Sequence, residues 1–159
     1  MNKKTFLILS GLAVLAFFLR AYLLPDNLFF GPEQGRDFKV IRDIVVSHKF
    51  TLIGSKTDIA GVFHGPIYYY LASIPFALSG GDPYTVALFF ILIQSLSVFL
   101  IYLLAIEFTG SRRIGYISAL LFAVSFGSIS YSRWLSNPAL TIPLSAAFFL
   151  FYLRFLKGK

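Results

Sequence analysis

The chain has 159 residues, of which 57% are hydrophobic and 13% charged, and its formal net charge is +7. It is far more apolar than a soluble globular domain, which excludes the soluble enzyme and binding-domain classes. The absence of cysteine excludes disulfides, thiolate catalysis and cysteine-ligated metal. Most basic residues flank apolar stretches, so nucleic acid is not an expected partner.

Four apolar segments are long enough, or nearly so, to cross about 30 Å of hydrocarbon as helices. They predict an all-α polytopic membrane protein with spans at about 5–24, 84–108, 114–129 and 139–156. A fifth apolar stretch, 67–79, is short and holds Pro75 near its middle. We therefore expect a short interfacial or re-entrant helix there.

The N-terminus begins like a signal peptide, because Lys3 and Lys4 precede the first apolar segment. After Leu19 there is no small-x-small cleavage site. We therefore predict an uncleaved signal anchor that forms the first span.

Charge placement favours four spans with the N-terminus in the cytoplasm. The positive-inside rule is then satisfied, because the cytoplasmic ends collect Lys3, Lys4, Arg112, Arg113, Arg154, Lys157 and Lys159. A fifth span at 67–79 would move Arg112, Arg113 and the C-terminal cluster outside. Four spans place the loop 25–83 on the outer face of the plasma membrane, and Glu107 is the acid left near the inner face.

The loop after the first span carries two acids, Glu33 and Asp37, within the sequence GPEQGRDF. Residues four apart lie on one face of a helix, where two carboxylates can share a role as a base or in metal binding. A solvated helix start, whose dipole favours acids, explains them equally well. The segment 35–49 follows as a predicted amphipathic helix on the membrane surface.

Three further features lie on the predicted outer side. His64 stands between an irregular polar segment and the interfacial helix, where it is either structural or a ligand. Arg133 is the only full charge between the last two spans, and arginine suits both bidentate phosphate binding and contact with lipid headgroups. Tyr68 and Tyr69 line either a ligand groove or an interfacial aromatic belt.

The order of these parts resembles the N-terminal part of GT-C glycosyltransferases, in the protein O-mannosyltransferase and aminoarabinose transferase-like branch. Glu33 and Gln34 match the family's outer acidic motif, which is typically Asp-Glu. The run His64-Gly65-Pro66-Ile67-Tyr68-Tyr69 matches Lys-Pro-Pro-Leu-Tyr-Tyr. Tyr131-Ser132-Arg133 matches a Tyr-Ser-Arg motif, with Asn137 near the place of a later acid.

The resemblance implies inverting transfer of a sugar from a polyprenyl-phosphate donor to an acceptor on the outer face of the membrane. Glu33, or failing that Asp37, would remove the acceptor proton. Charge on the departing phosphate would be stabilised by the available cations, which are Arg36, His64 and Arg133. Tyr68, Tyr69 and Asn137 are the remaining substrate-binding candidates. A divalent metal is compatible with these residues but not required by them, and the oligomeric state is undetermined.

Members of the resembled family are several times longer, so we expect an N-terminal fragment that is incomplete and inactive as an isolated chain. The main alternative is a non-enzymatic integral membrane protein, either an assembly subunit or a lipid-binding subunit, whose outer loop docks a partner. A transporter fragment is less favoured, because the predicted spans contain almost no buried charge and no paired, broken helices.

Overall fold

The chain forms an all-α structure, as predicted, in a computed structural model that describes residues 2–158. Its helices are α1 (Lys3–Ala21), α2 (Leu24–Asn27), α3 (Pro32–Ser47), α4 (Ile67–Ser79), α5 (Pro83–Thr109), α6 (Arg112–Val124), α7 (Phe126–Ser132) and α8 (Thr141–Leu156). A 3₁₀ helix, Asn137–Leu140, leads into α8.

Short polar residues explain where several helices begin. The side chains of Asn2, Asp82 and Ser111 accept backbone N–H bonds at the starts of α1, α5 and α6. Gly80 and Gly110 end α4 and α5 in left-handed conformations at φ 70° and 73°. The short helix predicted at 67–79 is α4. The predicted helix at 35–49 begins earlier, at Pro32, so Glu33 and Gln34 lie on α3 itself.

Three helices within residues 2–158 are long and apolar enough to cross a membrane: Lys3–Ala21, Pro83–Thr109 and Asn137–Leu156. The predicted span at 114–129 is not one straight helix. It is divided between α6 and α7, which are bent by 54° at Ser125, and the two together make a fourth candidate span. The break arises because Ser125 leaves the helical conformation, at φ −62° and ψ 121°, and its side chain caps α7.

Helix α5 is the centre of the packing and contacts α1, α4, α6 and α8. At its N-terminal end it contributes Phe90 and Ile91 to a cluster with α3, α4 and the 3₁₀ helix, which we call the site-side cluster. At its other end it contributes Val98 and Tyr102 to a cluster with α1 and α6, which we call the distal cluster. The apolar face of α3 is therefore buried against protein, although the sequence suggested a helix resting on the membrane surface.

One charged side chain is buried at the end of a candidate span. Arg20, near the end of α1, has 0% exposure and lies where α6 breaks into α7. At the far end of the molecule Glu107 forms ion pairs with Arg154 and Lys157, at 3.6 and 3.2 Å. These pairs tie the end of α5 to the end of α8.

Candidate active site

The first turns of α3 place two carboxylates in different surroundings. Asp37 has 0% exposure, and its Oδ1 accepts bonds from Nη2 of Arg36 at 2.9 Å and from the hydroxyl of Tyr69 at 3.0 Å. Glu33, one turn earlier, is partly exposed, and its Oε1 accepts a bond from the hydroxyl of Ser136 at 2.8 Å. The buried acid is therefore held inside the protein, while the other carboxylate is held at its edge.

Helix α4 closes the site from the other side. Tyr68 and Tyr69 are 1% and 3% exposed, and the Tyr68 ring stacks on Phe90 of α5 at 5.2 Å between centroids. Burial, with the nearby Asp37 carboxylate, raises the pKa of Tyr69 to about 12. Burial also raises the pKa of Tyr68, again with a contribution from Asp37. Both hydroxyls therefore stay protonated near neutral pH, and that of Tyr69 donates to Asp37.

A backbone pairing brings His64 to the site. The amide of Gly54 donates to the His64 carbonyl at 2.9 Å, and the His64 amide donates to the Ser55 carbonyl at 2.9 Å. A methyl group on Gly54 would lie 2.6 Å from the Gly65 carbonyl oxygen, so glycine is needed for this close approach. The His64 side chain is exposed.

The segment before α8 completes the site. Nδ2 of Asn137 donates to the hydroxyl of Ser55 at 2.7 Å, and the neighbouring Ser136 donates to Glu33. Residues distant in sequence therefore meet here: the start of α3, the 54–64 pairing, the start of α4 and the 136–137 segment. Glu33, Arg36, Asp37, His64, Tyr68, Tyr69 and Asn137 are all predicted site residues that this assembly brings together.

Arg133 is placed differently from the other predicted site residues. Its Nε donates to the Arg20 carbonyl at 3.0 Å, and its Nη2 donates to the carbonyls of Leu19 and Tyr22 at 3.1 and 2.8 Å. The guanidinium thus caps the C-terminal end of α1, where cations are favoured. The predicted phosphate contact of Arg133 stays a prediction, and the observed contacts give the residue a second role.

The sequence did not single out Ser55 or Ser136, and it named Gln34 only as a match to the family's acidic motif. Gln34 has 0% exposure, and its Oε1 accepts a bond from the Gly31 amide at 3.0 Å, as in one half of a capping box. Ser136 and Ser55 are small polar residues beside Asn137 and Gly54, and only their burial and their hydrogen bonds to Glu33 and Asn137 distinguish them from ordinary loop serines. Within residues 2–158 no group of three His, Asp or Glu side chains lies close enough to hold a metal ion.

Comparison with known proteins identifies the family. Residues 63–159, more than half of the chain, match the family model of dolichyl-phosphate-mannose-protein mannosyltransferases. The chain belongs to this family. Membership implies a membrane glycosyltransferase that takes its sugar from a polyprenyl-phosphate donor. No curated protein and no solved structure matches the chain.

The matched region contains only part of the site. It includes His64, Tyr68, Tyr69, Ser136 and Asn137, whereas Glu33 and Asp37 precede it. The role of the two carboxylates therefore rests on their contacts with matched residues, namely Ser136 for Glu33 and Tyr69 for Asp37.

Proposed function

We propose that the protein transfers a sugar from a polyprenyl-phosphate donor to an acceptor hydroxyl on the outer face of the membrane, with inversion at the anomeric carbon. Mannose is the sugar that the family description names, and the likeness to the aminoarabinose transferase-like branch is part of the proposal. The observation that carries it is the unequal placement of two neighbouring carboxylates, with Glu33 partly exposed and Asp37 fully buried.

Glu33 is the better general base of the two. Its carboxylate is reachable from the surface while Ser136 fixes one oxygen, so the carboxylate is oriented and still able to accept a proton. Asp37 is engaged by Arg36 and Tyr69 and has no exposure. We assign Asp37 to holding Arg36 and α4 in place.

The proposed reaction is a single displacement. Glu33 takes the proton of the acceptor hydroxyl as its oxygen attacks the anomeric carbon from the face opposite the phosphate. The bond between that carbon and the phosphate oxygen breaks, and its electron pair leaves with the polyprenyl phosphate. Negative charge grows on the phosphate, and we assign its stabilisation to the Arg36 guanidinium and the exposed His64 side chain. The Arg36 side chain is 49% exposed, so its guanidinium remains accessible although it contacts Asp37.

The proposed outward orientation is supported by charge. With the N-terminus in the cytoplasm, the site lies on the side opposite Lys3, Lys4, Arg112 and Arg113, as the positive-inside rule favours. The wall of the site consists of buried tyrosines and an apolar cluster that continues into α5. This arrangement suits a donor whose reacting phosphate lies at the membrane surface and whose prenyl chain lies in the bilayer.

The test is a comparison of Glu33→Gln with Asp58→Asn, a change at an exposed acid of the same loop. Both are made in the protein expressed from its complete reading frame and assayed with polyprenyl-phosphate sugars that include the mannose form. We expect Glu33→Gln to lower transfer by about 10²-fold to 10⁴-fold, the scale of a lost general base, and Asp58→Asn to leave it near wild type. The anomeric configuration of the product, read by NMR, should be opposite to that of the donor.

Two outcomes would reject the proposal. If Glu33→Gln still transfers sugar, Glu33 is not the general base. If the product retains the anomeric configuration of the donor, the reaction is not a single displacement. A non-enzymatic assembly subunit would be supported instead if the membranes showed no sugar transfer and a second protein bound tightly through the 25–83 loop.

A further inference from the structure

Two arginines each cap the end of a helix to which they do not belong, at the end of the molecule that carries the candidate site. Arg20 belongs to α1, but its Nη1 donates to the Ala123 carbonyl at 3.1 Å and its Nη2 to the Phe122 carbonyl at 3.2 Å. Both carbonyls lie in the last turn of α6, where the break leaves them without helical partners. Arg133, which follows α7, caps the C-terminal end of α1 in return.

Arg20 also reaches across the break. Its Nη2 donates to the hydroxyl of Ser128 in α7 at 2.7 Å, and its guanidinium carbon lies 5.1 Å from the centre of the Phe122 ring. Within residues 2–158 no carboxylate forms a salt bridge with it, so carbonyl dipoles, a hydroxyl and an aromatic face stabilise the buried charge. One side chain thus contacts both helices on either side of the 54° bend.

The bend is connected to the site segment through α7. Helix α7 ends at Ser132, Arg133 is bonded to α1, and three residues later Ser136 donates to Glu33. The buried Arg20 is therefore connected to the Glu33 carboxylate through a few hydrogen bonds and one two-turn helix, α7. Because α7 touches α1 and α6, a change in the bend would move Ser136 relative to α3.

We propose that Arg20 and Arg133 are positioning residues, which fix the α6–α7 bend against α1 and thereby hold the Ser136 hydroxyl at the Glu33 carboxylate. The catalytic value of this contact rests on the proposed function, but the positioning itself does not. Lysine cannot replace either residue fully, because one ammonium group cannot reach the several separate acceptors that a guanidinium contacts.

The positioning can be measured without sugar transfer. Because the chain has no cysteine, Glu33→Cys with Ser136→Cys makes a unique pair, which a short bifunctional thiol reagent joins in isolated membranes. Thr5→Cys with Tyr116→Cys is the matched pair in the distal region, where the two native hydroxyls lie 2.7 Å apart. Each pair is combined with Arg20→Met, Arg20→Lys, Arg133→Met or the exposed control Arg42→Met.

We expect Arg20→Met and Arg133→Met each to lower cross-linking of the 33–136 pair by about five-fold, the effect of roughly 1 kcal/mol in a local equilibrium. The 5–116 pair should be unaffected, and Arg42→Met should change neither. Arg20→Lys should restore only part of the 33–136 cross-linking. Because the two arginines act on one contact, the double variant should lose less than the product of the two single effects.

Two results would overturn the inference. Unchanged 33–136 cross-linking in Arg20→Met and Arg133→Met would show that the arginines do not position Ser136. Equal loss at both pairs would show that they support the whole fold and not this contact. If the 33–136 contact weakens as expected but Glu33→Gln transfers sugar normally, the positioning stands and only the proposed function fails.

Discussion

The hydroxyl of Tyr69 donates to Oδ1 of Asp37 at 3.0 Å and joins α4 to α3 through two side chains that are almost completely buried. The same oxygen accepts from Arg36, so two side chains converge on one carboxylate atom. This arrangement separates two acids that look equivalent in sequence. Asp37 is held in the interior by these contacts, and the catalytic role that we propose falls to Glu33.

We predict that Asp37→Asn lowers stability more than it lowers transfer. The amide keeps one acceptor oxygen but loses the charge that pairs with Arg36, and a weakened buried contact of this kind costs about 1–3 kcal/mol. Thermal unfolding in detergent should show a lower midpoint for Asp37→Asn than for Glu33→Gln. Asp43→Asn, on the same helix, is the control and should unfold like wild type. Complete loss of transfer by a well-folded Asp37→Asn, with Glu33→Gln active, would move the base to Asp37.

A second prediction concerns topology. Lys3 and Arg112 should face the cytoplasm and Asn137 the outside. Lys159 belongs to the predicted cytoplasmic set but lies outside the described residues. Because Asp37 has 0% exposure, the exposed Asp58 is the better outer reporter. Single cysteines at 3, 58, 112 and 137 can be treated with an impermeant thiol reagent in intact cells. We expect labelling only of the cysteines at 58 and 137. Labelling of the cysteine at 112 but not of that at 58 would show the opposite orientation.

A third prediction concerns the backbone pairing that carries His64. In Gly54→Ala the new methyl group would lie 2.6 Å from the Gly65 carbonyl oxygen and 2.8 Å from that of His64. Backbone atoms cannot move aside easily, so we expect a loss of about 1–3 kcal/mol, typical of overpacking. Gly65→Ala is a matched control, since its methyl group would meet no atom within 4 Å. Similar unfolding midpoints for the two variants would contradict the tight pairing.

The sequence predicted the helices more successfully than the interior of the site. Continuous apolar composition was enough to locate α4 and α5 within a residue or two. The break at Ser125 was missed because a serine in an apolar run resembles any other helical serine, and the contacts that Arg20 makes on both sides of the break come from a helix distant in sequence. Arg20 lies near the end of a span, where a charged side chain usually extends to the membrane surface, so no pattern in the sequence indicates its burial.

The burial of Asp37 was missed for a related reason. The apolar positions of α3 correctly indicated an amphipathic helix, but a sequence pattern does not say whether lipid or protein covers that face. In the structure α4 covers it, with Tyr68 and Tyr69 beside the acid. The residues that the motifs singled out lie near one another in the structure, except that the side chain of Arg133 contacts the end of α1.

The last prediction follows from the raised pKa of Tyr69. An unfolded tyrosine ionises near pH 10, whereas in the folded protein burial and Asp37 raise the pKa of Tyr69 to about 12. Below pH 10 both states are protonated, and the stability contributed by Tyr69 is fully present. As the pH rises from 10 to 12 the unfolded state loses its proton first, so that stability is lost. Wild-type protein in detergent should therefore unfold at progressively lower temperature across this window.

The variant Tyr69→Phe should begin at a lower unfolding midpoint, because the bond to Asp37 is gone, but its midpoint should fall less steeply with pH. Tyr68, whose pKa burial also raises, is present in both proteins and cancels in the comparison. Tyr22→Phe, at a side chain with 69% exposure, is the control and should follow wild type. Parallel curves for wild type and Tyr69→Phe between pH 10 and 12 would show that the Tyr69 hydroxyl is not held against the Asp37 carboxylate in the folded protein.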